Sequence, residues 1–562
     1  MNKLLNQIRK YKSWQELKSQ LIDQTSNTKT KGDIFELITK YYLLTEPIYQ
    51  TQIKNVWIHH EVPDDVREYI NLPKNDEGID LIAQTKDNKY WAIQCKYLSD
   101  IEASVNEKYI ATFLNLSGNV CKNISIKLTV TTANKKSYKF KEKYDDSVTF
   151  LLGDIWSNLA EAFFDNLNSY LDNKIVIFKP FTPKTHQSRA IENAYNHFIE
   201  ESNDRGKLIM ACGSGKSLSA YWIVNKLQAK NILIAVPSLA LVRQTLEVWT
   251  RESLANNIDI NWIAVCSDES ISQTNNDIFT SSTKDLGIEV STNIDKISNW
   301  LQDIKHNITI VFTTYQSGKV IAEASRKANF IFDIAIMDEA HKTVGNKNSL
   351  FSHLLFDKNI EIKKRLFMTA TERMYKGTID EDQIVSMDDI DLYGEDFDVL
   401  TFKEAIEMQP PILCDYKVVS MIVTKKEIKE IIDKNKYINV KEDNLSEQET
   451  SNLIASSIVL HKAIKKYNLK HTVSFHATVK KSKYFKEKEE YIRRCIDDTL
   501  ELNTYHVSGK TPTSERNLII NNFSNSKNAL ITNARCLTEG IDVPNIDSVM
   551  FSDPRQSTVD IL

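Results

Sequence analysis

Between residues 207 and 371, short apolar runs alternate with polar loops and helix-like segments. Runs that are apolar along their whole length are typical of parallel strands buried on both faces of a sheet. The functional residues of such sheets lie at the carboxyl ends of the strands. The runs are KLIM, NILIAVPS, ITIVFTTY, FDIAIMDE and RLFMTAT, and a second series follows as YKVVSMIV, TVSFHA, ALITNA and SVMFSD. The pattern predicts an α/β fold with two largely parallel sheets.

The chain has 562 residues, which is too long for one hydrophobic core and predicts three or four domains. We expect domain boundaries that divide the chain into residues 1–175, 176–410 and 411–562. The composition, 41% hydrophobic and 26% charged, is that of an ordinary folded protein. No window approaches about 18 consecutive apolar residues, so we expect no membrane-spanning helix.

Cysteine usage and charge constrain location and partners only weakly. The seven cysteines form no C-x-x-C pair, and the N-terminus does not resemble a signal peptide. We therefore expect reduced thiols in a cytoplasmic protein. The net charge of −4 neither indicates nor excludes nucleic-acid binding, because clefts can be locally basic on an acidic molecule.

A glycine-containing loop, ACGSGKS at 211–217, follows the first apolar run and leads into a helical pattern. Backbone amides of such a loop and the following helix N-terminus can bind phosphates. Lys216 is expected to hold the β- and γ-phosphates of ATP, and Ser217 to ligate Mg²⁺. Met210 replaces the first glycine of the strict phosphate-loop pattern, so the loop alone is only moderately specific. The residues expected to bind the nucleotide are Gly213, Ser214, Gly215, Lys216 and Ser217.

The acidic box DEAH, 338–341, ends another apolar run further along the chain. In isolation this tetrapeptide fits a solvated loop better than a catalytic site. Its position after a buried strand, downstream of a phosphate loop, favours the second half of a nucleotide site. Asp338 is then expected in the second shell of Mg²⁺, and Glu339 is placed to polarise the attacking water.

A predicted hairpin near the N-terminus, GIDLIAQ followed by YWAIQCKY, carries Asp80, Gln94 and Lys96. Because side chains alternate along a strand, Gln94 and Lys96 lie on one face. A two-residue turn at Asp87–Asn88 would put Asp80 on the other face. A three-residue turn at Asp87–Lys89 would pair Asp80 with Lys96 and bring all three side chains together. We predict the three-residue turn.

Such a cluster suits phosphodiester cleavage. Asp80 and the backbone carbonyl of Cys95 offer the oxygen ligands that Mg²⁺ prefers. A bound Mg²⁺ lowers the pKa of a water ligand and neutralises developing charge, and Lys96 can position or activate that water. Glu36, on the preceding helical run, is expected to supply another carboxylate. Asp80 and Lys96 alone would fit a solvated polar hairpin better than a nuclease site.

Several motifs resemble, in the same order, those of superfamily 2 helicases, most closely the DNA-translocating motors of restriction enzymes. The resemblance covers residues 180–562 and implies two RecA-like lobes that close on ATP, the second of them incomplete. It implies that Gln187 recognises the adenine base of ATP. It also implies that Gly540 and Asp542 lie where the second lobe contacts the nucleotide and the nucleic-acid strand. The motifs are ACGSGKS, TTYQS (313–317), DEAH, TAT (369–371) and TNARCLTEGIDVP (532–544).

The first 175 residues resemble the Mrr-type branch of the PD-(D/E)xK nucleases through KGDIFELI, DEGIDLIA and AIQCKY. Gln94 stands where the general pattern has a second acidic residue, a substitution that this branch tolerates but that removes one charge from the metal site. The order of nuclease and motor resembles the single-polypeptide type ISP restriction enzymes. Three further segments carry the same resemblance, namely IAVCSDES, LCDYKVV and ARCLTEGIDVPNIDSVMFSDPRQS.

In type ISP enzymes a methyltransferase and a target-recognition domain follow the motor, and no methyltransferase pattern occurs in these 562 residues. The sequence stops at DPRQSTVDIL, where the family continues into a helix whose arginines reach the γ-phosphate. Such arginine contacts increase the rate of phosphoryl transfer about 10³–10⁵-fold in related enzymes. We therefore expect a longer enzyme or a truncated reading frame, reduced ATP turnover, and apolar surface exposed on the second sheet.

The expected function is ATP-dependent DNA translocation coupled to Mg²⁺-dependent endonuclease activity, as in restriction enzymes of anti-phage defence. The expected cofactors are ATP and Mg²⁺, and the partner is DNA, double-stranded and held through its phosphates. An alternative is a repair or anti-phage helicase whose N-terminal domain binds DNA without cutting it. A third is a degraded remnant that acts as a binding module. Changing Asp80 or Lys96 to Ala discriminates between the first two.

Overall fold

The computed structural model describes most of the chain in two compact units. The first unit contains the described residues from 2 to 267 and from 283 to 414, and the second contains those from 415 to 553. Within the described ranges, no helix is long and apolar enough to cross a membrane. The described residues are 2–75, 78–100, 103–105, 107–136, 148–159, 161–174, 176–267, 283–303, 308–375, 383–434, 447–496, 500–509, 511, 513–534, 537 and 545–553.

The first unit begins with a mixed sheet covered by helices. The sheet order is β1-β2-β3-β5-β7, antiparallel from β1 to β3 and parallel from β3 to β7, while β4 and β6 form a separate parallel pair. The strands are β1 (Ile53–Ile58), β2 (Leu81–Thr85), β3 (Tyr90–Lys96), β4 (Ser104–Val105), β5 (Ile124–Thr131), β6 (Lys135–Lys136) and β7 (Thr149–Leu151). The helices are α1 (Asn2–Ile8), α2 (Trp14–Leu17), α3 (Thr28–Thr45), α4 (Pro47–Gln50), α5 (Asp64–Tyr69), α6 (Glu107–Asn115), α7 (Gly153–Ser157) and α8 (Glu161–Leu171).

Helix α3 is the element that fixes one side of this sheet. It begins where the side chain of Asn27 accepts a hydrogen bond from the backbone N–H of Lys29, an N-cap that satisfies a helix-end donor. Its buried Phe35 packs edge-on against Trp156, with ring centroids 5.0 Å apart. The indole of Trp156 donates to the carbonyl of Thr131 at 2.9 Å, which ties this aromatic core to β5. The packing holds α3, which carries Glu36, against β3.

The second part of the first unit is a seven-stranded parallel sheet with the order β10-β11-β9-β12-β14-β8-β16. The five apolar runs expected to be buried parallel strands are β8, β9, β11, β12 and β14, which confirms that prediction. The strands are β8 (Arg205–Met210), β9 (Asn231–Val236), β10 (Ile260–Val265), β11 (Ile308–Thr314), β12 (Ile334–Asp338), β13 (Gly345–Asn346), β14 (Arg365–Thr369), β15 (Ile384–Val385) and β16 (Glu395–Leu400), with β13 and β15 paired separately.

Helices cover both faces of this sheet. They are α9 (Thr185–Tyr195), α10 (Lys216–Lys226), α11 (Leu239–Ala255), α12 (Ile294–Gln302), α13 (Gly318–Ala328), α14 (Ile390–Tyr393) and α15 (Phe402–Glu407). The alternation of strand and helix places the ends of β8, β12 and β14 at one carboxyl edge, where ligands bind in open α/β sheets.

The second unit holds a four-stranded parallel sheet with the order β18-β19-β17-β20. Its strands are β17 (His471–Phe475), β18 (Asn503–His506), β19 (Ala529–Asn533) and β20 (Ser548–Phe551), and its helices are α16 (Lys425–Lys434), α17 (Glu447–Tyr467), α18 (Val479–Ile496) and α19 (Thr513–Asn525). The strand predicted at YKVVSMIV is wrong, because residues 416–423 form no strand. No neighbouring strand pairs with that segment in the described structure, and Val418 and Ile422 are 80% and 87% exposed. At the edge of the sheet, Val549 of β20 is 50% exposed.

Candidate nucleotide and nuclease sites

The loop between β8 and α10 has the backbone of a phosphate-binding loop. Gly213 and Gly215 have φ angles of +78° and +89°, in the left-handed region that glycine reaches without a steric penalty. A Cβ atom at Gly215 would lie 2.6 Å from Nε2 of Gln187, so a larger residue there would displace that side chain. Gly215 is the residue before α10, and the loop amides therefore sit at a helix N-terminus, where anions are stabilised.

Helix α9 supports this loop through two side chains. The Nε2 of Gln187 donates to the carbonyl of Gly215 at 3.4 Å, and its Oε1 accepts from the backbone N–H of Lys184 at 2.9 Å. The preceding residue, His186, is buried and its Nε2 lies 2.9 Å from the carbonyl of Ser214. No motif in the sequence marks His186 as a site residue. Its position directly before Gln187 was the one available signal.

Lys216 and Ser217 open α10, and Lys216 approaches the acidic box. The Nζ of Lys216 lies 3.7 Å from Oε1 of Glu339 and donates to the carbonyl of Met210 at 3.4 Å. Burial alone would lower the pKa of Lys216, but nearby carboxylates, Glu339 first among them, outweigh it and raise the pKa. The Oγ of Ser217 is buried and has no hydrogen-bond partner within the described part of the chain. A buried hydroxyl oxygen beside a buried lysine fits a site that takes a phosphate and its cation.

The acidic box follows β12, which β14 separates from β8 in the sheet. Glu339 has a φ angle of +49°, and its backbone N–H donates to Oδ1 of Asp338 at 3.0 Å. Tyr315 donates to the carbonyl of Asp338 at 2.7 Å and fixes the backbone from the neighbouring loop. The two carboxylates titrate as a pair, and burial followed by the charge of Glu339 raises the pKa of Asp338. Burial would also raise the pKa of Glu339, but the hydrogen bond to His341 and the charge of Lys216 hold it below its ordinary value.

The hairpin of the nuclease part has a three-residue turn, as predicted, but at a different position. Thr85 pairs with Lys89, which leaves residues 86–88 as the turn, one residue earlier than expected. Asn88 has a φ angle of +61°, and a type I turn closed by a left-handed residue is a common three-residue hairpin. The register pairs Leu81 with Ile93, so Asp80 comes opposite Gln94 rather than Lys96. The predicted pairing of Asp80 with Lys96 is therefore wrong. The partner of Asp80 moves by two residues along β3, and because side chains alternate, Asp80, Gln94 and Lys96 still lie on the same face of the sheet.

Asp80 is buried directly before β2 and is tied to β3. Its Oδ2 accepts a hydrogen bond from the backbone N–H of Cys95 at 2.6 Å. Burial raises the pKa of the Cys95 thiol well above its ordinary value, with further contributions from the charges of Asp80 and Glu36, while Lys96 opposes them. Each of these three charged groups is therefore close enough to Cys95 to influence its ionisation. Glu36, Asp80 and Lys96 thus all lie within electrostatic range of the Cys95 thiol, and that they form one catalytic site stays a prediction.

Gln94 completes the cluster. Its side chain is 2% exposed, its Nε2 donates to the carbonyl of Gly78 at 3.2 Å, and its Oε1 has no hydrogen-bond partner among the described residues. An orphaned buried amide oxygen costs free energy unless a cation or a water satisfies it. Over the described ranges, no group of three or more His, Cys, Asp or Glu side chains forms a metal site. Any cation here therefore depends on carboxylate, amide and backbone oxygens together.

Two predicted residues of the second lobe, Gly540 and Asp542, lie outside the described residues.

Family models match three consecutive parts of the chain. Residues 44–175 match a restriction endonuclease model of the Mrr type, residues 180–374 match the res subunit of type III restriction enzymes, and residues 456–562 match the helicase conserved C-terminal domain. The chain therefore combines one region that matches a restriction endonuclease family with two regions that match families of restriction-enzyme res subunits and helicases.

A solved structure extends the likeness across both parts. The chain is similar to the ATP-dependent type ISP restriction-modification enzyme LlaBIII bound to DNA, with 26% identity, a TM-score of 0.78, and coverage of 96% of this chain and 36% of that chain. A nuclease-deletion mutant of the type ISP enzyme LlaGI, in complex with a DNA substrate mimic, matches 67% of this chain and 25% of its own at 27% identity and a TM-score of 0.45. In its order of nuclease-like and helicase-like regions the chain resembles LlaBIII over nearly its whole length.

Curated relatives match about two thirds of the chain. The probable helicase A859L of African swine fever virus (isolate Tick/Malawi/Lil 20-1/1983) is 26% identical over 384 residues, which are 67% of this chain and 38% of the viral protein. The same protein of isolate Pig/Kenya/KEN-50/1950 matches at 26% over the same length. The chain spans little more than a third of the length of these relatives and of LlaBIII.

Proposed function

We propose that this chain is an ATP-dependent DNA translocase fused to a Mg²⁺-dependent DNA endonuclease, and that it serves restriction of foreign DNA in the cytoplasm. The observation that carries the motor half is the approach of Lys216 to Glu339 across the intervening strand β14, at 3.7 Å. A phosphate loop and an acidic box that converge at one sheet edge have the geometry that ATP hydrolysis requires.

Each residue of the nucleotide site has a separate role in this proposal. The loop amides from Gly213 to Gly215 bind phosphate oxygens, and Lys216 neutralises the β- and γ-phosphates. The Ser217 hydroxyl and the Asp338 carboxylate would hold Mg²⁺, which would neutralise charge on the phosphates. Glu339, with its depressed pKa, is ionised at neutral pH and accepts a proton from the attacking water. Gln187 selects adenine from its position beside Gly215.

The nuclease half rests on the convergence of Glu36, Asp80, Gln94 and Lys96. Asp80, the Oε1 of Gln94 and the carbonyl of Cys95 offer oxygen ligands for Mg²⁺, with Glu36 as a further carboxylate. The cation, when bound, lowers the pKa of a water ligand. Lys96 positions that water against the phosphodiester. We propose double-stranded DNA, held through its phosphates, as the substrate. Methyltransferase and target-recognition domains encoded downstream would supply sequence specificity, since phosphate contacts carry little of it.

Gln94 also supports a second candidate function. With an amide in place of a carboxylate, the cation site has one negative charge fewer. A domain that binds DNA without cleaving it would fit this weaker cation site. The two candidates differ in what Asp80 does and agree on the motor.

ATP turnover tests the motor half. Phosphate release is measured with and without double-stranded DNA, for the unchanged chain and for Lys216→Ala. We expect turnover that DNA increases and that Lys216→Ala removes, since the phosphates lose their buried cation. The variant Lys226→Ala, which makes the same change at the far end of α10, serves as the matched control. Equal turnover by the Lys216→Ala and Lys226→Ala variants would refute the assignment.

A further inference from the structure

Strand β8, which leads into the phosphate loop, carries a buried lysine. The Lys207 side chain is only 7% exposed, and β8 is an inner strand with β14 on one side and β16 on the other. Moving an ammonium group out of water costs free energy unless hydrogen bonds and opposite charges compensate for it. The groups that contact Lys207 therefore show which parts of the lobe it holds.

Three acceptors from three segments surround the Lys207 ammonium. Its Nζ lies 2.5 Å from Oε1 of Glu372 and 3.0 Å from Oδ1 of Asp396, and it donates to the carbonyl of Met387 at 3.1 Å. Burial alone would lower the pKa of Lys207, but the hydrogen bonds to Glu372 and Asp396 outweigh it and raise the pKa. Lys207 is therefore a charged group that joins three segments of the chain at neutral pH.

The two carboxylates belong to different parts of the lobe. Asp396 lies in β16, directly beside Lys207 in the register of the sheet. Glu372 lies after β14 and directly follows residues 369–371, the TAT motif, which we call the threonine loop. The contact between Lys207 and Glu372 thus ties the strand before the phosphate loop to the end of the threonine loop.

The contact with Met387 supports the same loop from its other side. The backbone N–H of Met387 donates to the carbonyl of Arg373 at 3.2 Å, and the N–H of Tyr375 donates to Oγ of Ser386 at 2.9 Å. The residues that follow the threonine loop are thus paired with residues 386 and 387. Lys207 contacts both sides of this pairing.

The threonine loop leads from Glu372 to the proposed catalytic carboxylate. The Thr369 hydroxyl donates to the carbonyl of Thr371 at 2.9 Å and lies 3.0 Å from Nδ1 of His341. The same nitrogen of His341 lies 3.4 Å from Oε2 of Glu339. Because Glu372 directly follows Thr371, a displacement of Glu372 also moves the carbonyl that orients the Thr369 hydroxyl.

We propose that Lys207 and Glu372 are positioning residues that hold the threonine loop against the acidic box. The loop in turn aligns the imidazole of His341 with Glu339 for ATP hydrolysis. Because the pair acts through this loop and not through the phosphate-binding amides, its loss should slow hydrolysis without weakening ATP binding. The inference rests on the proposed function for its effect on turnover, whereas the ordering of the loop is independent of activity.

Two matched variants separate loop positioning from the loss of a carboxylate beside Lys207. Glu372→Gln removes the carboxylate that follows the threonine loop, and Asp396→Asn removes the one in β16. In either variant Lys207 still contacts the other carboxylate, so the buried ammonium keeps a counter-charge. A difference between the two variants therefore reports on the loop.

Hydrogen exchange of the full chain tests the ordering of the loop. The amides followed are those of Thr371, Tyr375 and Met387, each of which donates a hydrogen bond in this region. Glu372→Gln should make them exchange about tenfold faster, and Asp396→Asn should leave their exchange unchanged. Unchanged exchange in Glu372→Gln, or an equal increase in both variants, would overturn the proposal.

ATP turnover and nucleotide affinity test the consequence. With double-stranded DNA present, Glu372→Gln should lower kcat about tenfold, at an unchanged calorimetric dissociation constant for a non-hydrolysable ATP analogue. Asp396→Asn should keep both values. An unaltered kcat in Glu372→Gln, or a loss of affinity as large as the loss of turnover, would overturn the proposal. No turnover by the unchanged chain would instead refute the proposed function, while the exchange experiment would still decide whether Glu372 orders the loop.

Discussion

The Nδ1 atom of His341 lies 3.0 Å from Oγ1 of Thr369, and this contact links the acidic box after β12 to the threonine loop after β14. The Thr369 hydroxyl also donates to the carbonyl of Thr371 at 2.9 Å, so its oxygen accepts from the imidazole. The same imidazole is 3.4 Å from Oε2 of Glu339. One side chain therefore connects the proposed catalytic carboxylate to the neighbouring strand end.

Thr369→Val removes this acceptor and keeps the shape of the side chain. We expect ATP turnover to fall roughly tenfold, which corresponds to about 1.4 kcal/mol, because the imidazole loses the contact that orients it against Glu339. Nucleotide affinity should change little, since the phosphate loop is not altered. Steady-state turnover and ATP binding by calorimetry measure the two effects. Thr369→Ser keeps the hydroxyl and should retain turnover, and a similar loss in both variants would contradict the role of this hydrogen bond.

The turn at residues 86–88 controls which side chains meet in the nuclease site. Asn88 adopts a left-handed conformation, which costs a β-branched residue about 1–2 kcal/mol. Asn88→Val should lower the free energy of unfolding of the first unit by that amount, and Asn88→Gly should be nearly neutral. Urea unfolding measures both. Lys86→Val, at an exposed position of the same turn, is the control, and an equal cost at residues 86 and 88 would contradict the turn geometry.

The strands that carry the nucleotide site were easier to predict from the sequence than the register of the hairpin in the nuclease site. The apolar runs before the phosphate loop and the acidic box predicted β8 and β12, because strands buried on both faces leave little freedom in residue type. The position of the hairpin turn depended on whether Asn88 or Lys89 ends it, and both residue types tolerate a turn. A shift of one residue at the turn moved the cross-strand partner of Asp80 from Lys96 to Gln94.

Long-range contacts left little local signal. His186 supports the phosphate loop across 28 residues of sequence, and its position directly before Gln187 is the one feature of the sequence that indicates this contact. The ion pair of Lys136 with Asp285 joins two parts that were expected to be separate domains. The segment 416–423 has strong strand propensity, but strand formation also needs a neighbouring strand, which propensity does not supply. The domain boundaries expected at residues 175 and 410 stay predictions.

Glu46 gives the first unit a pH-dependent stability. Burial, with the charge of Glu247 added, raises its pKa from 4.5 to about 7, and Arg243 opposes the shift. A carboxyl group with a raised folded-state pKa stabilises the fold below its unfolded pKa and loses that contribution as pH rises through about 7. Glu46→Gln should therefore raise the thermal midpoint at about pH 8 and change it little at about pH 5. An equal shift at both pH values would contradict the raised pKa.

Gln94 offers a direct test of the cation site. Gln94→Glu adds a carboxylate where a buried amide oxygen has no protein hydrogen-bond partner among the described residues, and should tighten Mg²⁺ binding about tenfold. Gln94→Leu removes the oxygen and should weaken binding by a similar factor. Calorimetric titration with Mg²⁺ measures both without requiring cleavage. If Gln94→Glu bound Mg²⁺ no more tightly than the unchanged chain, this oxygen would not be a ligand.

The central claim is that one chain couples a motor to a separate cutting site. The most direct measurement follows ATP turnover and double-stranded DNA cleavage in parallel, for the unchanged chain and for Asp80→Asn, which keeps the size of the side chain. We predict ATP-dependent cleavage that Asp80→Asn abolishes, with DNA-stimulated ATP turnover retained. Cleavage that survives in Asp80→Asn, or an unchanged chain that hydrolyses ATP on DNA and never cuts it, would contradict the account.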